Sequence, residues 1–185
     1  MPDRRIVKEL RNLEPGNLST RTLSYLALFV AFTAVATYLH VPGPSQSYFN
    51  LGEVAIYFIA LVFGPRAAGI AGAAGSALMD MILGYYIWAP FTFIIKGVEG
   101  YVVGRFGSTD SWVKSIVAVL IGGHIMIAGY AITKGFLISW AAIIPELGID
   151  YAQMLIGAVI AIPFAHNINK FIGSDSDENR KDSKK

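Results

Sequence analysis

Residues 48–103 read YFNLGEVAIYFIALVFGPRAAGIAGAAGSALMDMILGYYIWAPFTFIIKGVEGYVV. Three apolar runs follow one another here with hardly a linker between them. The few polar residues, Asn50, Glu53, Asp80, Lys96 and Glu99, lie within those runs or at their ends. An ionisable group inside a bilayer costs about 2.5–3.5 kcal/mol on insertion scales, so it is expected to line a cavity and serve a function. The pattern predicts an integral membrane protein with a polar interior site.

Composition supports this reading. Hydrophobic residues make up 54% of the chain, charged residues 15%, and the mean hydropathy is +0.52. A soluble domain carries about 25% charged residues. The 185 residues accommodate six spans joined by short loops; each span needs about 20 residues. The absence of cysteine excludes disulfides, thiolate metal sites and a cysteine nucleophile. The charged N-terminus lacks the apolar core and small-residue cleavage site of a signal peptide.

The spans are expected at about Thr22–His40, Asn50–Phe63, Ala67–Leu83, Pro90–Phe106, Val113–Thr133 and Asp150–Phe171. The second is short and the fourth contains Lys96 and Glu99, which leaves a re-entrant path open for either. Arg4, Arg5, Lys8, Arg11 and Arg21 precede the first span, and Lys170, Arg180, Lys181, Lys184 and Lys185 follow the last. Arg66, Arg105 and Lys114 fall in the turns between, whereas the opposite loops carry only Lys134. By the positive-inside rule both termini are cytoplasmic. The expected fold is therefore an all-α membrane protein, a six-helix bundle over residues 22–172. A cytoplasmic segment, 1–21, precedes it, and a disordered cytoplasmic tail, 173–185, follows.

The outer loops are rich in aromatic rings, among them Tyr48, Phe49, Tyr85, Tyr86, Trp88 and Trp140. One account is an interfacial aromatic belt; the other is a pocket opening outward, walled by rings beside a few polar groups. The candidate substrate-binding residues are Asn50, Glu53, Asp80, Tyr85, Trp88, Lys96, Glu99 and Gln153. For several a structural role competes. Lys96 and Glu99, three apart on one helix face, suit a mutual ion pair. Glu53 suits a helix N-terminus, and Asp80 suits a helix-end cap. His124 reads as the most buried histidine and His166 as interfacial. No carboxylate or second histidine stands at ligand spacing beside His124, so no metal site is expected. Small residues at Ala27 and Ala31, along residues 68–77, and at Gly100 and Gly104 favour close helix approach. The run at 68–77 is read as internal; Ala27 and Ala31 suit either the bundle or a partner.

No P-loop, H-E-x-x-H or G-x-S-x-G is present. The chain has no recognisable means of hydrolysing ATP, no catalytic residue is assigned, and no cofactor is expected. A small intramembrane enzyme using Glu99, His124 or Asp80, or a stand-alone channel or scaffold, remains the alternative.

NLGEVAIYFIALVFGPRAAGIAGAAGSALMD, followed by GYYIWAPFTFIIKGVEGYVVG and PELGIDYAQMLIGAVIAIP, resembles the substrate-binding S components of energy-coupling factor (ECF) vitamin transporters. The likeness spans about Thr22–Phe171 and points to the riboflavin-type branch, which includes hydroxymethylpyrimidine- and pyridoxine-type members. It implies six helices and capture of a vitamin or precursor from outside, beneath the loop after the first helix. It further implies docking through Ala27 and Ala31 on a transmembrane T subunit with two ABC-type ATPases, in a prokaryotic cell membrane. Nucleic acid is not an expected partner. A hydroxymethylpyrimidine- or pyridoxine-like ligand is the first expectation and riboflavin the second. The family pattern leads one to expect asparagine near Asp150 or Tyr151, where this chain departs from it.

Overall fold

The computed structural model describes residues 4–13, 18–43 and 47–182. Seven α-helices run along these residues: α1 Arg4–Arg11, α2 Thr20–Tyr38, α3 Gly52–Phe63, α4 Pro65–Ile82, α5 Ala89–Phe106, α6 Trp112–Leu137 and α7 Ile143–Asp182. A short hairpin, β1 His40–Pro42 and β2 Tyr48–Asn50, joins α2 to α3, with Val41 opposite Phe49. α2 to α7 form an up-and-down bundle. One end carries the hairpin, the α4–α5 turn and the start of α7; the other carries α1.

Each helix boundary has a local cause. Ser19 caps α2 by accepting from the Thr22 amide at 3.1 Å. Between α3 and α4 the chain reverses at Gly64, whose φ of 91° suits glycine, and Pro65 then opens α4. Ser111 caps α6. Pro163 lies inside α7, where it removes one backbone hydrogen bond.

Small residues set the spacing between helices. A Cβ on Gly72 of α4 would lie 2.6 Å from the Lys96 carbonyl oxygen, and one on Gly100 of α5 would lie 2.6 Å from that of Ala68. Gly75 meets α2 in the same way, 2.7 Å from the Val30 carbonyl. The small-residue run of α4 thus packs inside the bundle. Ala27 and Ala31 do not; both are exposed on the outer face of α2.

The outward faces are apolar. Leu28 is 60% exposed, Ile94 63% and Val159 72%, a distribution that suits lipid rather than water. Among the described residues three helical stretches are long and apolar enough to cross a membrane: Thr20–Tyr38, Trp112–Leu137 and Trp140–Ile168. α3, with 12 residues, is short.

Several expectations are corrected. The last helix begins at Ile143, not near Asp150, because Pro145 falls in its first turn, where a missing amide is tolerated. α6 runs on to Leu137, so Lys134 belongs to a helix rather than a loop. α7 continues to Asp182, into the segment expected to be disordered; no proline follows Gly173, and Glu178, Arg180 and Lys181 are good helix formers. The N-terminal segment contributes α1, whose Ile6 and Leu10, followed by Leu13, are buried in the bundle core. Arg11 donates to the Leu61 carbonyl at 3.3 Å, and Glu9 accepts from Ser19 and Thr22, which holds its carboxyl below the usual range. His124 is exposed, and His166 is the buried one, stacked on Trp112 at 4.3 Å.

Candidate functional site

A cavity lies beneath the β1–β2 hairpin, enclosed by α4, α5, α6 and α7. Six of the predicted residues line it: Asn50, Asp80, Tyr85, Trp88, Lys96 and Gln153. It measures about 40 Å³, on a scale where one water needs about 10–15 Å³. Glu53 and Glu99 are not on its wall. They lie beneath it, 1% and 0% exposed, and both pair with Lys96.

The floor is a buried ionic knot. Lys96 Nζ donates to Glu53 and, at 3.1 Å, to Glu99 Oε2. Tyr57 donates to the other Glu99 oxygen at 2.8 Å. Tyr57 and Glu53 come from α3, Lys96 and Glu99 from α5, so the knot ties these helices at the bundle centre. The pairing expected between Lys96 and Glu99 is present; the sequence did not reveal that Glu53 shares the ammonium. Spacing along one helix shows only neighbours on that helix.

The hairpin side is held by amides. Gln153 Oε1 accepts from the Asn50 amide at 2.8 Å and from its Nδ2 at 2.5 Å. Asn50 Oδ1 accepts from the Gly52 amide at 2.7 Å, which starts α3. Gln153, expected to face a ligand, therefore chiefly fastens the hairpin to α7. Asp80 accepts from Tyr48 Oη at 2.5 Å, tying α4 to the same hairpin. Its expected capping role is replaced by this link.

Rings form the walls. Tyr48 and Tyr85 lie 5.1 Å apart between centroids, and Trp88 and Tyr130 lie 6.4 Å apart. Lys96 Nζ sits 5.5 Å from the Tyr130 ring, and Lys134 Nζ 5.7 Å from that of Trp88. Lys134, fully buried, pairs with Glu146 at the start of α7. The cavity also takes in Ser47, Thr92, Glu146 and Asp150. Sequence reasoning did not select Tyr130, Lys134, Glu146 or Asp150 as site residues. A lysine within the apolar end of α6, and acids four apart at 146 and 150, were the available signals. Among the described residues no group of three or more His, Asp or Glu is placed to hold a metal.

Residues 17–170 match the ECF-type riboflavin transporter S-component family. The chain belongs to this family. It is 36% identical over 145 residues to an uncharacterised protein of Pyrococcus woesei, covering 77% of this chain and 97% of the relative. It is 30% identical over 148 residues to the thiamine precursor transporter HmpT of Lactococcus lactis, covering 78% of this chain and 86% of that protein. This S component is accordingly a membrane transport protein and not an enzyme. Vitamin-type uptake is the family's role.

Proposed function

We propose that this S component captures a single-ring heteroaromatic vitamin precursor in the cavity beneath the β1–β2 hairpin. A hydroxymethylpyrimidine- or pyridoxine-like molecule is the preferred ligand. The carrying observation is the meeting of aromatic walls with buried polar groups in one cavity. Trp88 and Tyr130, tilted to each other, would each offer a wall to a flat ring, and Asp80, Thr92 and Asp150 would fix its edges. At about 40 Å³ the cavity has room for only a few waters, so entry of either ligand would require the hairpin to lift. The similarity to a thiamine precursor transporter supports the same choice; the riboflavin name of the family favours riboflavin as the second reading.

In this reading six helices cross the prokaryotic cell membrane, both termini are cytoplasmic, and the hairpin faces outward. The arginines at the α1 end support that orientation. Ala27 and Ala31, exposed on α2, offer a shallow face on which a transmembrane T subunit docks. Two ABC-type ATPases attached to that subunit supply the energy.

Isothermal titration against pyrimidine, pyridine and flavin vitamins tests the proposal. An aromatic stack adds about 0.5–1.5 kcal/mol beyond burial, so Trp88→Ala should weaken binding about tenfold and leave the protein folded. Unchanged affinity in that variant would place the ligand elsewhere.

A further inference from the structure

Five carboxylates and two ammonium groups are gathered in and under the cavity. Lys96 is paired with Glu53 and Glu99, and Lys134 with Glu146. Asp80 and Asp150 line the cavity with no lysine or arginine at ion-pair distance among the described residues. Asp80 is satisfied in part by the Tyr48 hydroxyl. Asp80 and Asp150 each leave Oδ2 without a hydrogen-bond partner among the described residues. Asp150 is the less satisfied of the two: it is 2% exposed, and its Oδ1 receives only a 3.4 Å contact from Gln153 Nε2.

A buried carboxylate oxygen without a partner carries a desolvation penalty that a complementary donor removes. Both ammonium groups nearby are already engaged, and among the described residues no group supplies the missing donor. We infer that Asp150 is the specificity-determining residue of the pocket and that it selects ligands presenting an amino or protonated ring-nitrogen edge. The inference rests on the reading of this cavity as the ligand site and adds the charge class of the ligand. An N–H edge of an aminopyrimidine meets the free Oδ2 and joins the Gln153–Asp150 contact. A ring with a carbonyl at that edge sets oxygen against oxygen. A phosphate at that edge likewise sets oxygen against the Asp150 carboxyl, so the phosphate ester of the same molecule is rejected.

The test compares 4-amino-5-hydroxymethyl-2-methylpyrimidine, its 4-oxo analogue and its phosphate ester, titrated into the wild type and Asp150→Asn. Asparagine keeps the shape and the Gln153 contact but removes the charge. The wild type should bind the amino compound at least tenfold more tightly than either analogue. Asp150→Asn should lose at least tenfold for the amino compound and narrow its preference over the 4-oxo analogue. Equal affinity of both proteins for the amino compound, as expected if Asp150 binds as a neutral acid or touches no ligand, overturns the inference alone. Equal wild-type affinity for the amino and 4-oxo compounds, or for the phosphate ester, overturns it as well. A wild type that binds none of the pyrimidine, pyridine and flavin compounds overturns the reading of the cavity together with the inference.

Discussion

Replacing Lys96 by methionine removes the one cation shared by Glu53 and Glu99. Methionine fills most of the lysine stem, so the packing loss is small and the change is chiefly electrostatic. Breaking a buried ion pair from one side costs about 3–5 kcal/mol, because the remaining charge stays desolvated and unpaired. Two carboxylates are left here, but they do not suffer equally. Glu99 keeps the Tyr57 hydroxyl at 2.8 Å, and a hydrogen bond to a charged group is worth about 1.5–3 kcal/mol. Glu53 keeps no partner among the described residues, since its second oxygen has none there even in the intact protein. Lys96→Met should therefore lower stability by about 3–5 kcal/mol. Adding Glu53→Gln to it should restore more than adding Glu99→Gln. Reversible unfolding in mixed micelles, arranged as double-mutant cycles, measures both effects. A loss in Lys96→Met below about 1 kcal/mol, the scale of an exposed pair, or equal recovery by the two glutamine variants, would refute this account of the knot.

Gly72→Ala places a methyl 2.6 Å from the Lys96 carbonyl, so it should destabilise by about 1–3 kcal/mol in the same unfolding assay; an unchanged value would mean that α4 and α5 have room to part. Single cysteines at Tyr86 and Asp110, both exposed and at opposite ends of the bundle, should react with an impermeant reagent from outside and inside respectively. Labelling of both from outside would contradict the proposed orientation. Ala31→Trp should abolish uptake and co-purification with the T subunit while leaving ligand binding intact; loss of binding and folded yield together would assign Ala31 to internal packing.

Hydropathy made the course of the bundle readable, since α3, α4 and α5 begin and end within two residues of the expected spans. Polar residues inside apolar helices were equally readable as a group: Asn50, Asp80, Lys96 and Gln153 converge because each faces the bundle interior. What each one bonds to was not readable. Lys96 reaches Glu53 across 43 residues, and Asn50 reaches Gln153 across 103, and no spacing rule spans such separations. Tyr130 was hidden because a ring on an apolar helix suits the lipid face as well as a cavity. Lys134 and Glu146 were hidden because the spans were expected to end at Thr133 and resume at Asp150, which left both in a loop that α6 and α7 absorb. α1 carries Ile6 and Leu10 four residues apart, but the surrounding charges masked its apolar face.

Native mass spectrometry of the intact protein, released from detergent after incubation with an equimolar mixture of pyrimidine, pyridine and flavin vitamins, tests the central claim most directly. The account predicts one ligand per chain, a single-ring pyrimidine or pyridine compound, with retention diminished in Trp88→Ala. Retention of no compound from the mixture, or of the same compound undiminished in Trp88→Ala, would contradict it.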